Sequence, residues 1–127
     1  MIKNIECFRK NEKFHEEDIA DYVFTLSLKE NSEFYIHIWY GYMCDIYRDP
    51  KVCGDYWGGF TRDLQEYVRT FSEDLVEIEN LDEYINDLLL YEDVKFKYEE
   101  TREVYDLIYD FLCYAKETKQ TVLAELD

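Results

Sequence analysis

Between Tyr22 and Leu28 apolar side chains stand at every second position, with Phe24, Leu26 and Leu28 separated by Val23, Thr25 and Ser27. A period of two marks a strand with one buried face, because successive side chains of an extended chain point to opposite sides. The period returns from Glu33 to Met43, where Phe34, Ile36, Ile38 and Tyr40 alternate with Tyr35, His37 and Trp39. The polar stretch Lys29-Glu30-Asn31-Ser32 between the two runs reads as the turn of a β-hairpin. After a bend at Gly41, Tyr42 to Tyr47 extend the second strand or begin a further one.

Beyond this hairpin the period changes. Asp49-Pro50 and the glycines Gly54, Gly58 and Gly59 make residues 48–60 the main irregular loop. Thr61 is placed to cap a helix in which Leu64, Tyr67, Val68 and Phe71 recur at helical spacing. A second helix is expected after Asn80, with Leu81, Ile85, Leu88 and Leu89 on one face and Asp82 and Glu83 in the first turn, where carboxylates suit the helix dipole. Val94 to Tyr98 alternates and reads as a short strand. From Glu100, one stripe of Val104, Leu107, Ile108, Phe111, Leu112, Ala115, Val122 and Leu126 predicts a long terminal helix that breaks near Thr118 to Thr121. Strands followed by helices give an α+β class: a small antiparallel sheet, formed by the N-terminal hairpin and packed by two or three C-terminal helices, in a single domain over 1–127.

Composition decides between a folded domain and an acidic tail. With 47% hydrophobic and 18% aromatic residues, the chain carries far too much apolar material to stay disordered. Its charge then limits its partners, because 30 Asp and Glu against 14 Lys and Arg leave a formal charge of −16. Such a surface draws basic molecules and repels nucleic acid and anionic lipid, so a basic protein partner is expected, with no direct nucleic acid. The apolar runs are too short and too interrupted to cross a bilayer, so no membrane is expected. Cys7, Cys44, Cys53 and Cys113 show no C-x-x-C spacing, and no leader pattern opens the chain; a soluble, cytoplasmic protein fits these features.

Catalytic and ligand motifs are hard to find. His15 and His37 lie in no metal-ligand spacing, and no EF-hand loop occurs among the acids, so no metal is expected. Residues 53–59 match neither the dinucleotide nor the phosphate-loop pattern, so no cofactor is expected. A pairing of His37 with Cys44 or Cys53 has no local signature, and a strand histidine is usually a packed residue. Among so many carboxylates, suitably spaced acid pairs arise by abundance alone. The chain is therefore read as a non-enzyme.

The acids, however, are unevenly placed. Residues 70–94 hold Glu73, Asp74, Glu77, Glu79, Asp82, Glu83, Asp87, Glu92 and Asp93 and neither Lys nor Arg. An ordinary solvated helix mixes both signs to gain pairs three or four residues apart, so a run without cations suggests a use. Carboxylates at that spacing lie about 5–6 Å apart, close to the scale on which DNA displays its phosphates. The plain alternative is a solvated outer face. A second cluster, Glu12, Glu16, Glu17, Asp18 and Asp21, is softened by Lys10 and Lys13. Tyr40, Tyr42, Tyr47, Tyr56 and Trp57 crowd the end of the strand region and the loop, and Tyr56 and Trp57 join the acids as candidate partner-binding residues.

The ending Thr121-Val122-Leu123-Ala124-Glu125-Leu126, with the size and acidity of the chain, resembles small phage-encoded anti-CRISPR proteins that act as nucleic-acid mimics. That resemblance implies blockade of a guide-loaded effector at the surface that reads the protospacer-adjacent motif. The expected function is thus a stoichiometric inhibitor that occupies a basic nucleic-acid-binding site of an effector or nuclease. Three other readings stay open: an immunity protein for a cationic nuclease toxin, a small homo-oligomeric structural or regulatory module, and a small enzyme using Cys or carboxylate chemistry.

Overall fold

A computed structural model describes residues 23–52, 54, 56–66 and 76–126. In these residues the hairpin is present as β1 (Val23–Leu28) and β2 (Asn31–Trp39), joined by a turn at Lys29 and Glu30 that is tighter than the polar stretch suggests. Then come α1 (Tyr40–Ile46), α2 (Gly59–Glu66), β3 (Val76–Ile78), α3 (Leu81–Leu89), α4 (Thr101–Glu117) and β4 (Val122–Leu126). The four strands form one antiparallel sheet in the order β2-β1-β4-β3. The α+β class stands, with the N-terminal hairpin in the sheet and four helices among the described residues. Strand and helix are more interleaved than the sequence suggests, because β3 and β4 return from the helical half to complete the sheet.

The alternation of β1 and β2 is a real division of faces. Phe24, Leu26, Leu28, Ile36 and Ile38 are buried in one core with Ile108, Phe111 and Leu112 of α4. On the opposite face Thr25 pairs with His37 across the strands, Thr25 Oγ1 lying 2.7 Å from His37 Nδ1. The His37 ring also sits 4.6 Å from that of Tyr35, which gives this histidine a packed cross-strand role.

Three expected elements take another form. Residues 40–46 are helical, because Tyr42, Met43 and Ile46 bury one helical face where a strand would send Tyr42 and Met43 to opposite sides. Gly41 permits the change of direction: a Cβ there would lie 2.5 Å from the Trp39 ring, which folds over the first turn. Val94–Tyr98 is not a strand. Two of its amides are satisfied by a carboxylate instead, with Lys97 N–H and Tyr98 N–H donating to Asp45 at 2.8 and 2.9 Å, and Val94 N–H donates to Tyr91 C=O. The terminal helix ends at Glu117, and Val122 to Leu126 are strand β4, not its continuation. Lys119 adopts a left-handed conformation (φ 55), and Gln120 N–H donates back to Ala115 C=O at 2.9 Å, which closes the helix and turns the chain. Val122 and Ala124 are then buried by alternation, with Leu123 and Glu125 on the other face.

The helix after Asn80 forms as expected, with the Asn80 side chain accepting from Glu83 N–H at 3.2 Å. Its buried face is Tyr84, Ile85, Asp87 and Leu88, and Leu89, expected inside, is 41% exposed. Thr61 lies within α2 and does not cap it, since the helix begins at Gly59. Tyr67, Val68 and Phe71, assigned to the same helix, fall outside the described residues.

Candidate functional site

The cation-free segment does not form one continuous ridge. Glu73 and Asp74 lie outside the described residues, as do the acids and histidine of the first cluster, Glu12, His15, Glu16, Glu17, Asp18 and Asp21. Glu77 sits on strand β3 and Glu79 in the loop after it; Asp82 and Glu83 open α3, and Glu92 and Asp93 occupy the turn beyond it. Three of these acids meet cations from elsewhere in the chain: Lys29 lies 3.4 Å from Glu77, Lys116 lies 2.5 Å from Asp82, and Arg62 pairs with Glu83. Neutralisation from distant elements is invisible in a window of sequence, so the lack of local Lys and Arg overstates the charge of this surface.

Asp87 departs furthest from the expectation of an exposed partner-binding acid. It is 1% exposed and faces α2, accepting from Thr61 Oγ1–H at 2.6 Å and Thr61 N–H at 3.2 Å. The reason is the approach of α2. Gly59 (φ +52) brings the helix start so close that a Cβ would lie 2.8 Å from Asp87 Cβ and 3.0 Å from the Tyr84 Cα. Gly59 N–H donates to Glu83 Oε1 at 2.9 Å, and Phe60 packs its ring 4.8 Å from that of Tyr84. Arg62 adds bonds to Asp63 and the Tyr84 hydroxyl, and Tyr84 O–H donates to the buried Asp63. Three consecutive residues, Thr61, Arg62 and Asp63, thus face Glu83, Tyr84 and Asp87.

The hydrogen bonds at Asp87 run in one direction. Lys51 N–H donates to the Tyr91 hydroxyl at 2.8 Å, and Thr61 O–H donates to the carboxylate. The 2.7 Å contact between those hydroxyls is therefore donated by Tyr91 to Thr61. Burial pushes the Asp87 carboxyl up to about 6, against the donors from Thr61 and Phe60, and nearby Asp63 adds to the rise. Beside this group the buried Tyr47 hydroxyl has no hydrogen-bond partner among the described residues, and burial, then Asp87, raises its ionisation well above the ordinary phenol.

A cavity of about 290 Å³ opens over this contact, lined by Tyr56, Gly58, Asn80, Asp82, Glu83, Asn86 and Asp87. Tyr56 stands at it 69% exposed, and Trp57 is half-buried. Of the other loop aromatics, Tyr42 and Tyr47 belong to the core and Tyr40 packs against it. The structure brings Tyr56, Asp82, Glu83 and Asp87 together and leaves Glu92 and Asp93 elsewhere.

Glu92 and Asp93 belong instead to an acidic area that the segment-based reading passed over. On α4, Asp106 and Asp110 are exposed four residues apart, and Glu103 precedes them by one turn. Burial first and Asp106 second raise the Asp110 carboxyl. Glu92 lies close enough to raise the Tyr105 phenol to about 12, after burial, and contributes to the rise at Tyr109 behind its hydrogen bond with Cys113. Arg102, exposed in the first turn of α4, donates to Glu92 C=O and Val94 C=O and lies over the rings of Phe96 and Tyr105. Glu92, Asp93, Asp106 and Asp110 have no ion pair among the described residues. The i, i+3, i+7 spacing of Glu103, Asp106 and Asp110 is readable, but their helix also carries Arg102 and Lys116, so no cation-free run marks it.

Among the described residues no group of three or more His, Cys, Asp and Glu is arranged to hold a metal ion, and no helix is long and apolar enough to cross a membrane. Cys44 is exposed and Cys113 half-buried, both as free thiols, and Cys53 lies outside the described residues. Comparison with known protein families, with curated proteins and with solved structures finds no match.

Proposed function

We propose that the chain is a stoichiometric binding protein whose acidic surface occupies a basic, nucleic-acid-binding site on another protein. The observation that carries this reading is the pairing of a −16 formal charge with exposed carboxylates at Glu92, Asp93, Asp106 and Asp110 that lack ion pairs among the described residues. Carboxylates held on a helix and the turn against it present fixed negative charge, which a groove of Lys and Arg built for phosphates attracts over several ångströms. Fixed charges of this kind speed and select the encounter, and base identity plays no part in it. A guide-loaded CRISPR effector, a restriction enzyme or another nuclease is a partner of the required chemistry.

The position of the surface differs from the expected one. The opening of α3 contributes less, because Glu77, Asp82 and Glu83 are paired and Asp87 is buried. The docking face is therefore centred on α4 and the turn at Glu92, with Tyr109 beside it for contact with Arg or Lys side chains.

The test is capture on immobilised chain from a host lysate treated to remove nucleic acid, with elution by duplex DNA and by salt. A partner released by DNA and by high salt, and lost when Asp106 and Asp110 are changed to Lys, supports the reading. A partner retained in 1 M salt, where charges are screened beyond about 3 Å, and not displaced by DNA overturns it.

A further inference from the structure

The α2–α3 contact combines a close helix approach with a buried carboxylate that forms no ion pair among the described residues. Asp87 is surrounded by Asp63 and Arg62 from α2, by Glu83 and Tyr84 from its own helix, by Tyr91 just beyond it and by Tyr47 after α1, with Asp82 across the cavity. Arg62 is taken by Glu83 and Asp63, Asp82 is held by Lys116, and the Lys51 ammonium stands over the Tyr91 ring, 5.7 Å from its centroid; none of the three forms an ion pair with Asp87. Asp87 is left with a hydroxyl and backbone amides as donors, all of them from α2. Its charge state therefore reports directly on whether α2 stays seated.

We propose that the α2–α3 contact is a proton-sensitive clamp: a protonated Asp87 holds α2 closed on α3, and an ionised Asp87 loosens it. Loosening moves Gly58, the wall of the cavity next to Tyr56, so the clamp sets how well that cavity is formed. The device needs no partner and is independent of the acidic docking face on α4.

An ionised carboxylate buried beside Asp63 loses hydration that neutral donors only partly replace, and opening α2 returns it to water. The closed-state carboxyl, at about 6, lies above the 3.8 of the free group, so the gain from proton binding is full below about 3.8 and lost as pH rises through about 6. If the open state restores the free value, the opening equilibrium rises about ten-fold between about pH 5 and about pH 7.5.

Amide hydrogen exchange on the full chain, corrected for the intrinsic effect of pH, measures this opening directly. The expected result is an approximately ten-fold loss of protection for the amides of Arg62, Asp63 and Leu64 over that range, with Phe24 and Leu26 of β1 unchanged. In Asp87→Asn the pH dependence should vanish. Equal protection of α2 at both pH values in the native chain overturns the proposal, as does a parallel loss in β1, which marks global unfolding. Persistence of the full effect in Asp87→Asn also overturns it. The native-chain measurement stands even where that variant folds poorly.

Discussion

Asp45 and Asp87 are both buried aspartates that join helices to the rest of the molecule, yet their carboxyls shift in opposite directions. Burial pushes both up. At Asp45 it is outweighed by Tyr98 N–H, Lys97 N–H, the Thr101 hydroxyl and the Arg48 guanidinium, and the carboxyl falls below its usual value. Asp87 has Thr61 and the Phe60 amide, no ion pair among the described residues, and Asp63 as a like-charged neighbour, so burial prevails. Both carboxyls are closed off from the surface, but Asp87 lies deeper, so the depth of burial together with donors and cations gives a staple in one place and a labile contact in the other.

The largest test of that contrast is removal of each carboxylate. Asp45→Ala leaves Lys97 N–H, Tyr98 N–H and Thr101 O–H without their acceptor and frees the segment before α4, so a loss of about 3–4 kcal/mol is expected. Asp87→Asn keeps the size and an acceptor while removing the buried charge, so at neutral pH it should cost less than about 1 kcal/mol. Denaturant midpoints at constant slope compare the two. Equal losses break the distinction.

Gly59→Ala comes next, because it attacks the approach of α2 without touching charge. A Cβ at a positive φ, 2.8 Å from Asp87 Cβ and 3.0 Å from backbone, should cost about 2–3 kcal/mol. Gly58→Ala is the control: its Cβ would meet nothing nearer than a Glu83 methylene at 3.5 Å, and a loss comparable to that of Gly59→Ala would show that the tight approach is not what matters.

The pH dependence of stability separates the two aspartates by sign. Asp45, lowered in the fold, contributes stability above the ordinary 3.8 that is lost as pH falls through its folded value. Asp87, raised to about 6, contributes below 3.8 and loses that contribution as pH climbs through about 6. Between about pH 4 and pH 7, Asp87→Asn should therefore flatten a decline of about 2 kcal/mol, measured by denaturant unfolding at each pH. An unchanged slope in this variant would place the carboxyl near its free value.

These contrasts also explain what the sequence could and could not say. The hairpin and α3 were legible because several turns or pleats repeat one period, at Phe24, Leu26 and Leu28 and at Ile85 and Leu88. Helix α1 and strand β4 were not. Tyr40 to Ile46 is short enough to fit either period, and Val122 to Leu126 is apolar at four of five positions, so only its pairing with β1 and β3 decides. Among the acids, Asp82 and Asp87 look alike in the chain, and their difference arises from α2 docking across 26 residues at Thr61. Composition records the charge of a carboxylate, whereas its burial and its partners belong to tertiary structure.

The smallest expected effect lies on the exposed acidic face of α4, and its value is the separation of binding from folding. Asp106 and Asp110 repel each other at a spacing of one turn, and neither is balanced by an ion pair among the described residues. Asp110→Asn should then raise stability by a few tenths of a kcal/mol, as relief of a like-charge pair does on a solvated helix. If this face docks a basic groove, the same change should weaken capture of the partner, most at low salt, while the thermal midpoint stays or rises. A variant that gains stability and keeps full affinity would remove α4 from the docking face, because a carboxylate that neither supports the fold nor serves the complex is only repulsive.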